Sequence, residues 1–400
     1  MHVLFISRWF PYPPDNGSKI RIFNLIRQLS KRHAVTLLSF SQGAVSRERM
    51  ANMKAFCRAV HAIPYRGFNP GGLKALMGFF SPRPRFIVDT YHPEMEALIQ
   101  EVAAQNDFDA VIASEIDTAL YALLLDLPRV LEDIEVTVIR EQFTRQRRLL
   151  SKARYGLTWF KLTRFITRLL REYDGCTTVS ERERELLSRI APGYDSWVII
   201  PNGVDLEVNS GNFGKPVPDT LIYPGALTYS ANFDAMQFFL RDVFPLIQAQ
   251  RPGASLRITG GYDGVPVQEL PLGRGAELTG YLDDIRPAVA QSWACVIPLQ
   301  IGGGTRLKIL EAMALGTPVV STSKGAEGLA ATPERDILIA DSPGDFAQAV
   351  LRLLKDRDLR ARLSSNGRRL VEEHYAWEAC ARPLEELLYR AVGHEGARDG

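Results

Sequence analysis

Cysteine is scarce in this 400-residue chain, and the four present (Cys57, Cys176, Cys295 and Cys380) lie far apart with no C-x-x-C pair among them. That argues against a thiolate zinc site and a disulfide framework, and fits a reducing compartment such as the cytoplasm. The six histidines show no ligand spacing, so no metal centre is expected from them. Nowhere does the chain hold a run of about 18 apolar residues, so no membrane-spanning helix is expected. The opening MHVLFISRWFPYPP carries an apolar run too short for the core of a secretory signal, and it ends in prolines. Net charge is nearly missing as well: 48 basic against 46 acidic residues leave +2, which by itself implies no polyanionic partner.

That balance hides an uneven distribution. Residues 1–200 carry 28 basic and 21 acidic residues, and residues 201–400 carry 20 and 25. Most of the asymmetry sits in 140–171, where ten Lys and Arg meet a single acid, Glu141. From 155 onward helical spacing puts Lys161, Arg164, Arg168 and Arg171 on one face and Trp159, Leu162, Ile166 and Leu169 on the other. Two readings stay open. The favoured one is a helix packed on its own domain with its charges in water; the other is a peripheral membrane contact through 140–171. No recognised nucleic-acid motif accompanies the charge, so no nucleic acid is expected as a partner.

Glycine and proline punctuate two successive α/β halves. HVLFIS (2–7) reads as a buried strand, followed by a Pro- and Gly-bearing loop, an amphipathic helix from about Ser18 to Lys31, and a strand Ala34–Phe40. The first half goes on with a helical 45–60, a strand at Ala110–Ala113 and another at Thr177–Val179. After Pro201-Asn202-Gly203 the pattern starts afresh: strand Leu221–Tyr223, helix 232–250, strands Ser255–Thr259 and Ala294–Pro298, helix 305–315 and strand Thr317–Ser321. Ligands in such parallel sheets bind at the carboxyl ends of the strands, so a cleft between two domains is the expected site. A dinucleotide-dependent dehydrogenase would need G-x-G-x-x-G after its first strand and an acid ending its second. This chain has only Gly17 and Ser39-Phe40-Ser41 there.

The most informative segment is PLQIGGGTRLKILEAMALGTPVVS (298–321). Gly302, Gly303 and Gly304 let the backbone approach a ligand, Thr305 is the expected N-cap of a helix, and Gly316 fits its C′ position. Arg306 and Lys308 sit in the first turn, where cations oppose the macrodipole at a cost of about 0.3–1 kcal/mol each. A bound diphosphate would reverse that sign, receiving guanidinium, ammonium and backbone donors together. Glu311, on the Lys308 face, can accept hydrogen bonds from ribose hydroxyls. The competing reading is a surface helix with an i,i+3 Lys–Glu pair behind a flexible glycine loop.

The sequence resembles the large group of retaining GT-B-fold glycosyltransferases that includes bacterial polysaccharide and lipopolysaccharide sugar transferases (glycosyltransferase family 4-like). The resemblance runs through 16–40, TTVSERERELL (177–187), IIPNGVDLE (199–207), 278–299, GGGTRLKILEAMALGTPVVST (302–322), GAEGL (325–329) and HYAWEACARPLEELL (374–388). It implies two Rossmann-like domains facing each other across a cleft: 1–205 binding the acceptor, 206–376 binding the nucleotide sugar, and 377–400 holding a helix that crosses back to the first domain. Carried over residue by residue, Arg306, Lys308 and Glu311 bind diphosphate and ribose, and Gly17 meets donor phosphate or sugar. Tyr281 and Leu282 lie by the base, and Gly325 and Ala326 near the ribose.

Three departures stand out. The family's first glutamate of a pair eight positions apart falls at Gly303. The stretch GALTYSANFDA (225–235) lacks the Arg and Lys often found after the first strand of the second domain. A first-domain histidine is replaced by Ser114 and Glu115 in DAVIASEIDTALYAL (109–123). Glu115 and Asp117, with Asp133 further on, become candidates for sugar contact or acceptor deprotonation; capping a helix or turn is an equally good reading of each. The D-x-D matches, Asp107/Asp109 and Asp356/Asp358, are misplaced for a metal, and the resemblance implies no cofactor. The expected activity is hexosyl transfer from a UDP- or GDP-sugar to a saccharide or lipid-linked acceptor with retention, in cell-surface polysaccharide synthesis, in the cytoplasm or at the inner face of the membrane. A sugar-nucleotide 2-epimerase and a non-catalytic sugar-nucleotide-binding subunit are the alternatives.

Overall fold

The computed structural model describes residues 1–144, 149–301 and 307–395. Gly302, Gly303, Gly304, Thr305 and Arg306, and the basic residues Arg145, Arg147 and Arg148, lie outside the described residues. The chain divides into two compact units, one comprising Met1–Asn202 together with the chain from Cys380 onward, the other Gly203–Ala379.

The first unit is built on seven parallel strands: β1 (His2–Ser7), β2 (Ala34–Ser41), β3 (Ala59–Pro64), β4 (Ala110–Ser114), β5 (Arg129–Glu132), β6 (Gly175–Thr178) and β7 (Trp197–Ile199). Their order is β3-β2-β1-β4-β5-β6-β7. Short apolar runs such as HVLFIS and AVIAS are what a strand covered on both faces requires, and Val3, Leu4, Phe5 and Ile6 are all fully buried. The strand β3 begins at the end of the 45–60 stretch read as helical. Only Arg47–Lys54 is a helix; AVHAIP then pairs with β2 at the sheet edge, with Val60 alone buried. A half-buried edge strand ending in Pro carries little alternation to read.

The final helix, Trp377–Glu395, supplies Leu384, Leu387 and Leu388 as buried residues. A Cβ at Gly175 would stand 2.5 Å from Leu387 Cδ1, so the helix packs against glycine backbone on β6. Glu385 fastens it further, accepting from Arg32 at 2.6 Å and pairing with His33 Nε2 at 2.9 Å.

Six parallel strands form the sheet of the second unit: β8 (Val217–Pro224), β9 (Ser255–Thr259), β10 (Ala276–Gly280), β11 (Ser292–Ile297), β12 (Val319–Ser321) and β13 (Leu338–Ile339), in the order β10-β9-β8-β11-β12-β13. The expected helix 232–250 is broken. Ser230–Phe238 passes through a π turn at Phe239–Val243 into Phe244–Gln250. Pro245 has no N–H to give to the ladder, and the wider turn absorbs that loss. Helix Leu307–Ala314 ends as expected, with Gly316 at φ +75° closing it through Gly316 N–H to Met313 and Thr317 N–H to Ala312.

Candidate functional site

In the first unit the carboxyl ends of β1, β3, β4 and β5 deliver Arg8, Tyr65, Glu115 and Asp133 to one cavity of about 820 Å3, the position that parallel sheets reserve for ligands. Glu115 (φ 65°) and Asp133 (φ 59°) both take left-handed backbone where the chain leaves its strand. Non-glycine residues adopt that conformation at a cost, and such strain concentrates at functional turns.

The charges there form one network. Arg8 Nη1 pairs with Asp117 Oδ2 at 2.6 Å and with Glu115 Oε2 at 3.5 Å, while Nη2 donates to Tyr65 Oη at 2.9 Å. Trp9 Nε1 donates to Glu115 Oε1 at 3.1 Å. Burial pushes Glu115 up to about 7, against the pull of Arg8 and a hydrogen bond from Ser18. It also raises Asp117, with Arg8 again opposing. Asp133 is raised by burial more than the guanidinium of Arg21 can offset, and nearby Glu132 and Glu115 add to the rise. Three buried polar atoms around the cavity, Arg8 Nε, Asp117 Oδ1 and Asp133 Oδ1, have no hydrogen-bond partner among the described residues. Buried polar groups are normally satisfied, so these atoms are available to a bound ligand or to ordered water.

Beneath this cavity lies a residue that sequence reasoning missed. Arg21, on helix Gly17–Leu29, is 2% exposed and pairs with the fully buried Glu132. Its Nη1 also donates to Ile200 O at 2.7 Å and Asn202 Oδ1 at 3.1 Å. Ser114 donates to the other oxygen of Glu132 at 2.7 Å. The ends of β4 and β5 are thus pinned to the helix. The available signal was an arginine set among Ile20, Ile22 and Phe23, on a helix whose apolar face must be buried. Gly17 opens the same helix after the N-cap Asn16, and a Cβ placed on it would meet nothing within 4 Å.

In the second unit the carboxyl end of β8 is where basic residues are missing from the sequence, and Lys308 reaches it from helix Leu307–Ala314. Its ammonium donates to Asn232 Oδ1 at 3.0 Å and Tyr223 Oη at 3.2 Å, 4.5 Å above the tyrosine ring. Tyr223 Oη in turn donates to Asn232 at 2.7 Å, and Asn232 Nδ2 donates to Ala226 O at 2.7 Å. A Cβ on Gly225 would stand 2.5 Å from Lys308 Nζ, so only glycine lets the ammonium lie against this backbone. Glu311, one turn on, is raised by burial with Lys308 opposing. Gly325 tucks its loop onto Ile297 O and the Ser321 hydroxyl, leaving no room for a side chain. Its N–H donates to Thr322 Oγ1 at 2.9 Å, and Ala326 N–H to Thr322 O at 3.0 Å. Tyr281, 77% exposed, and Leu282 follow β10. The second-unit candidates within the described residues therefore all lie on the loops after β10 and β12 or on the helix after β11, with Lys308 reaching the loop after β8, while Glu115, Asp117 and Gly17 belong to the first unit.

The chain matches the family model of Glycosyltransferase Family 4 over residues 15–208 and that of Glycosyl transferases group 1 over residues 218–356. Among curated proteins it is 31% identical over 119 residues to the MMP alpha-(1->4)-mannosyltransferase of Mycolicibacterium hassiacum, covering 29% of this chain and 28% of that one. It is 24% identical over 163 residues to an uncharacterized 44.6 kDa protein in the cps region of Klebsiella pneumoniae, covering 39% and 42%. Across such relatives the matched segments span 21% to 42% of the relatives' own lengths. Among solved structures, sucrose-phosphate synthase from Thermosynechococcus elongatus has a TM-score of 0.66 at 18% identity, over 99% of this chain and 100% of that one. Anabaena Alr3699/HepE in complex with UDP-glucose has 0.64 at 13%, over 97% and 99%. WaaG, a glycosyltransferase involved in lipopolysaccharide biosynthesis, has 0.62 at 12%, over 96% and 98%. Two parallel-sheet α/β units, two consecutive family models and these likenesses in fold agree: the chain belongs to the GT-B-fold glycosyltransferases.

Proposed function

We propose that this glycosyltransferase transfers a hexosyl group from a UDP- or GDP-sugar to a saccharide or lipid-linked acceptor with retention of anomeric configuration, in the synthesis of a cell-surface polysaccharide at the cytoplasmic side of a membrane. The observation that carries the reading is Lys308. Its ammonium is held by Tyr223 and Asn232 against the glycine backbone after β8, a placement suited to a diphosphate. Arg306 supplies a second cation in this reading, Glu311 and the Gly325–Ala326 loop take the ribose, and Tyr281 and Leu282 flank the base. The glycines 302–304 and Thr305 offer backbone N–H groups to the phosphates. HepE, a likeness in fold, was crystallised with UDP-glucose, which favours UDP of the two nucleotides.

Chemistry in this reading is carried by charge. As the sugar–phosphate bond breaks, negative charge grows on the departing diphosphate, and fixed cations that need not reorganise stabilise it. The departing phosphate then accepts the acceptor proton on the face from which it leaves, so the new bond forms on that same face and configuration is retained. Glu115 and Asp117 act in the first unit, orienting acceptor hydroxyls with Arg8 and Trp9 holding the carboxylates in place. Gly17 lets donor phosphate or sugar come close to the helix it opens.

Release of nucleoside diphosphate tests the reading. A transferase releases UDP or GDP from the sugar nucleotide when acceptor is supplied. Release without acceptor would favour a 2-epimerase, and no release under any condition would favour a binding subunit. Protein cations rather than a divalent ion neutralise the leaving group here, so EDTA is expected to leave the acceptor-dependent rate unchanged. A rate abolished by EDTA and restored by Mg2+ or Mn2+ would contradict that part.

A further inference from the structure

The first unit carries an exposed apolar tip beside its cavity. Helix Leu73–Met77 buries only Ala75. Leu73 is 76% exposed, Met77 61%, and Phe80, just beyond, 94%. On helix Leu149–Leu169 Leu157 and Phe160 are exposed as well. Lys161, one residue beyond Phe160, donates from Nζ to Gly78 O at 3.0 Å and Phe79 O at 2.7 Å, which fastens the tip to this helix. Arg85 braces it from the other side, stacking 3.9 Å over the Phe79 ring and donating to Ala75 O at 2.8 Å and Pro70 O at 2.7 Å. The large side chains are therefore presented on a backbone held by charged side chains, rather than left on an untethered loop. A folded monomer rarely exposes this many large apolar side chains on neighbouring backbone without a use for them.

The charge around the tip selects the occupant. Residues 66–86 contain Arg66, Lys74, Arg83 and Arg85 and no acid. Residues 149–171 contain six Lys and Arg and no acid. We propose that this tip, with the Leu157–Phe160 edge of the long helix, docks on an anionic lipid bilayer. Leu73, Leu76, Met77 and Phe80 enter the boundary between headgroups and acyl chains, and the basic side chains meet lipid phosphates. A second copy of the chain fits poorly, because pairing would bring two cationic surfaces together. Arg85 touches the tip, lies 5.9 Å over the Phe68 ring, and lines the cavity together with Phe68, so docking would hold the cavity opening at the membrane, where a lipid-borne acceptor is delivered. That last step rests on the transfer reading; the docking itself does not.

Flotation with vesicles tests it, using the full chain with vesicles of mixed phosphatidylglycerol and phosphatidylcholine, or of phosphatidylcholine alone. The wild type is expected to float with the anionic vesicles and not with the neutral ones. A Leu76→Ser/Met77→Ser/Phe80→Ser triple variant and a Lys74→Glu/Arg83→Glu double variant are each expected to lower the bound fraction about tenfold. Both variants change exposed side chains, so the thermal midpoint and nucleotide affinity are expected to match the wild type. Nucleotide binding also separates a failure of docking from a failure of the transfer reading. Absence of wild-type flotation with anionic vesicles would overturn the proposal. So would flotation of both variants at the wild-type level, or a tip-dependent dimer in light scattering that the triple variant abolishes.

Discussion

In the proposed reading single residues carry the chemistry, and two of them make separable predictions. Lys308 supplies from a helix the positive charge that GALTYSANFDA does not supply at the end of β8, and Tyr223 and Asn232 aim it there. Lys308→Ala is expected to weaken nucleoside diphosphate binding by about 1.5–3 kcal/mol, the scale of a charge-assisted hydrogen bond, read by calorimetry. Wild-type affinity in that variant would remove the diphosphate assignment. Glu115 gives a pH signature. Its carboxyl, raised by burial to about 7, is protonated below that pH and ionised above it. If the carboxylate orients or deprotonates the acceptor, transfer rises with pH through about 7, and Glu115→Gln abolishes that rise while leaving nucleotide affinity intact. A pH profile unchanged in Glu115→Gln would reduce Glu115 to a partner of Arg8.

Elements show what a sequence reveals and what it hides. The βαβ opening, the glycine stop at Gly316 and the strand end bearing Glu115 were legible, because buried parallel strands and helix caps leave strong local patterns. Tyr281 and Gly325 were placed by the family resemblance, since β10 has no buried residue to mark it. Three things were not legible. The edge strand β3 has only one buried side chain and no clear period. The π turn at Phe239–Val243 answers to a single proline within an otherwise helical pattern. The Arg21–Glu132 pair joins residues 111 positions apart, a distance that no local pattern spans. The long basic helix follows its favoured expectation. Leu162, Ile166 and Leu169 are buried on its own unit, as the packed reading required, but the exposed apolar tip it braces, 73–80, lay in a stretch with no pattern to mark it. The Arg21–Glu132 pair ties β5 to helix Gly17–Leu29, so Glu132→Ala, which strands a buried guanidinium, is expected to destabilise the protein by about 3–5 kcal/mol. A lowered urea midpoint is the readout, and a change under about 1 kcal/mol would show that the network tolerates the loss of its anion.

For the whole molecule, each α/β unit presents its own features: buried polar atoms unpartnered among the described residues and raised carboxylates around a cavity in the first, and a cation set against glycine backbone in the second. The GT-B family follows from both halves, since a separate family model matches each. Sugar, base and acceptor depend on side chains in loops, which vary most freely among proteins of one fold. That is why sequence reading reached the class of reaction before its substrates. Calorimetric titration of UDP and of GDP into the wild-type protein tests the donor site of the second unit most directly. Micromolar binding of one nucleotide is expected, with its loss or marked weakening in Lys308→Ala. Binding of neither nucleotide would contradict the assignment of the second unit as the site for a nucleotide-diphosphate donor.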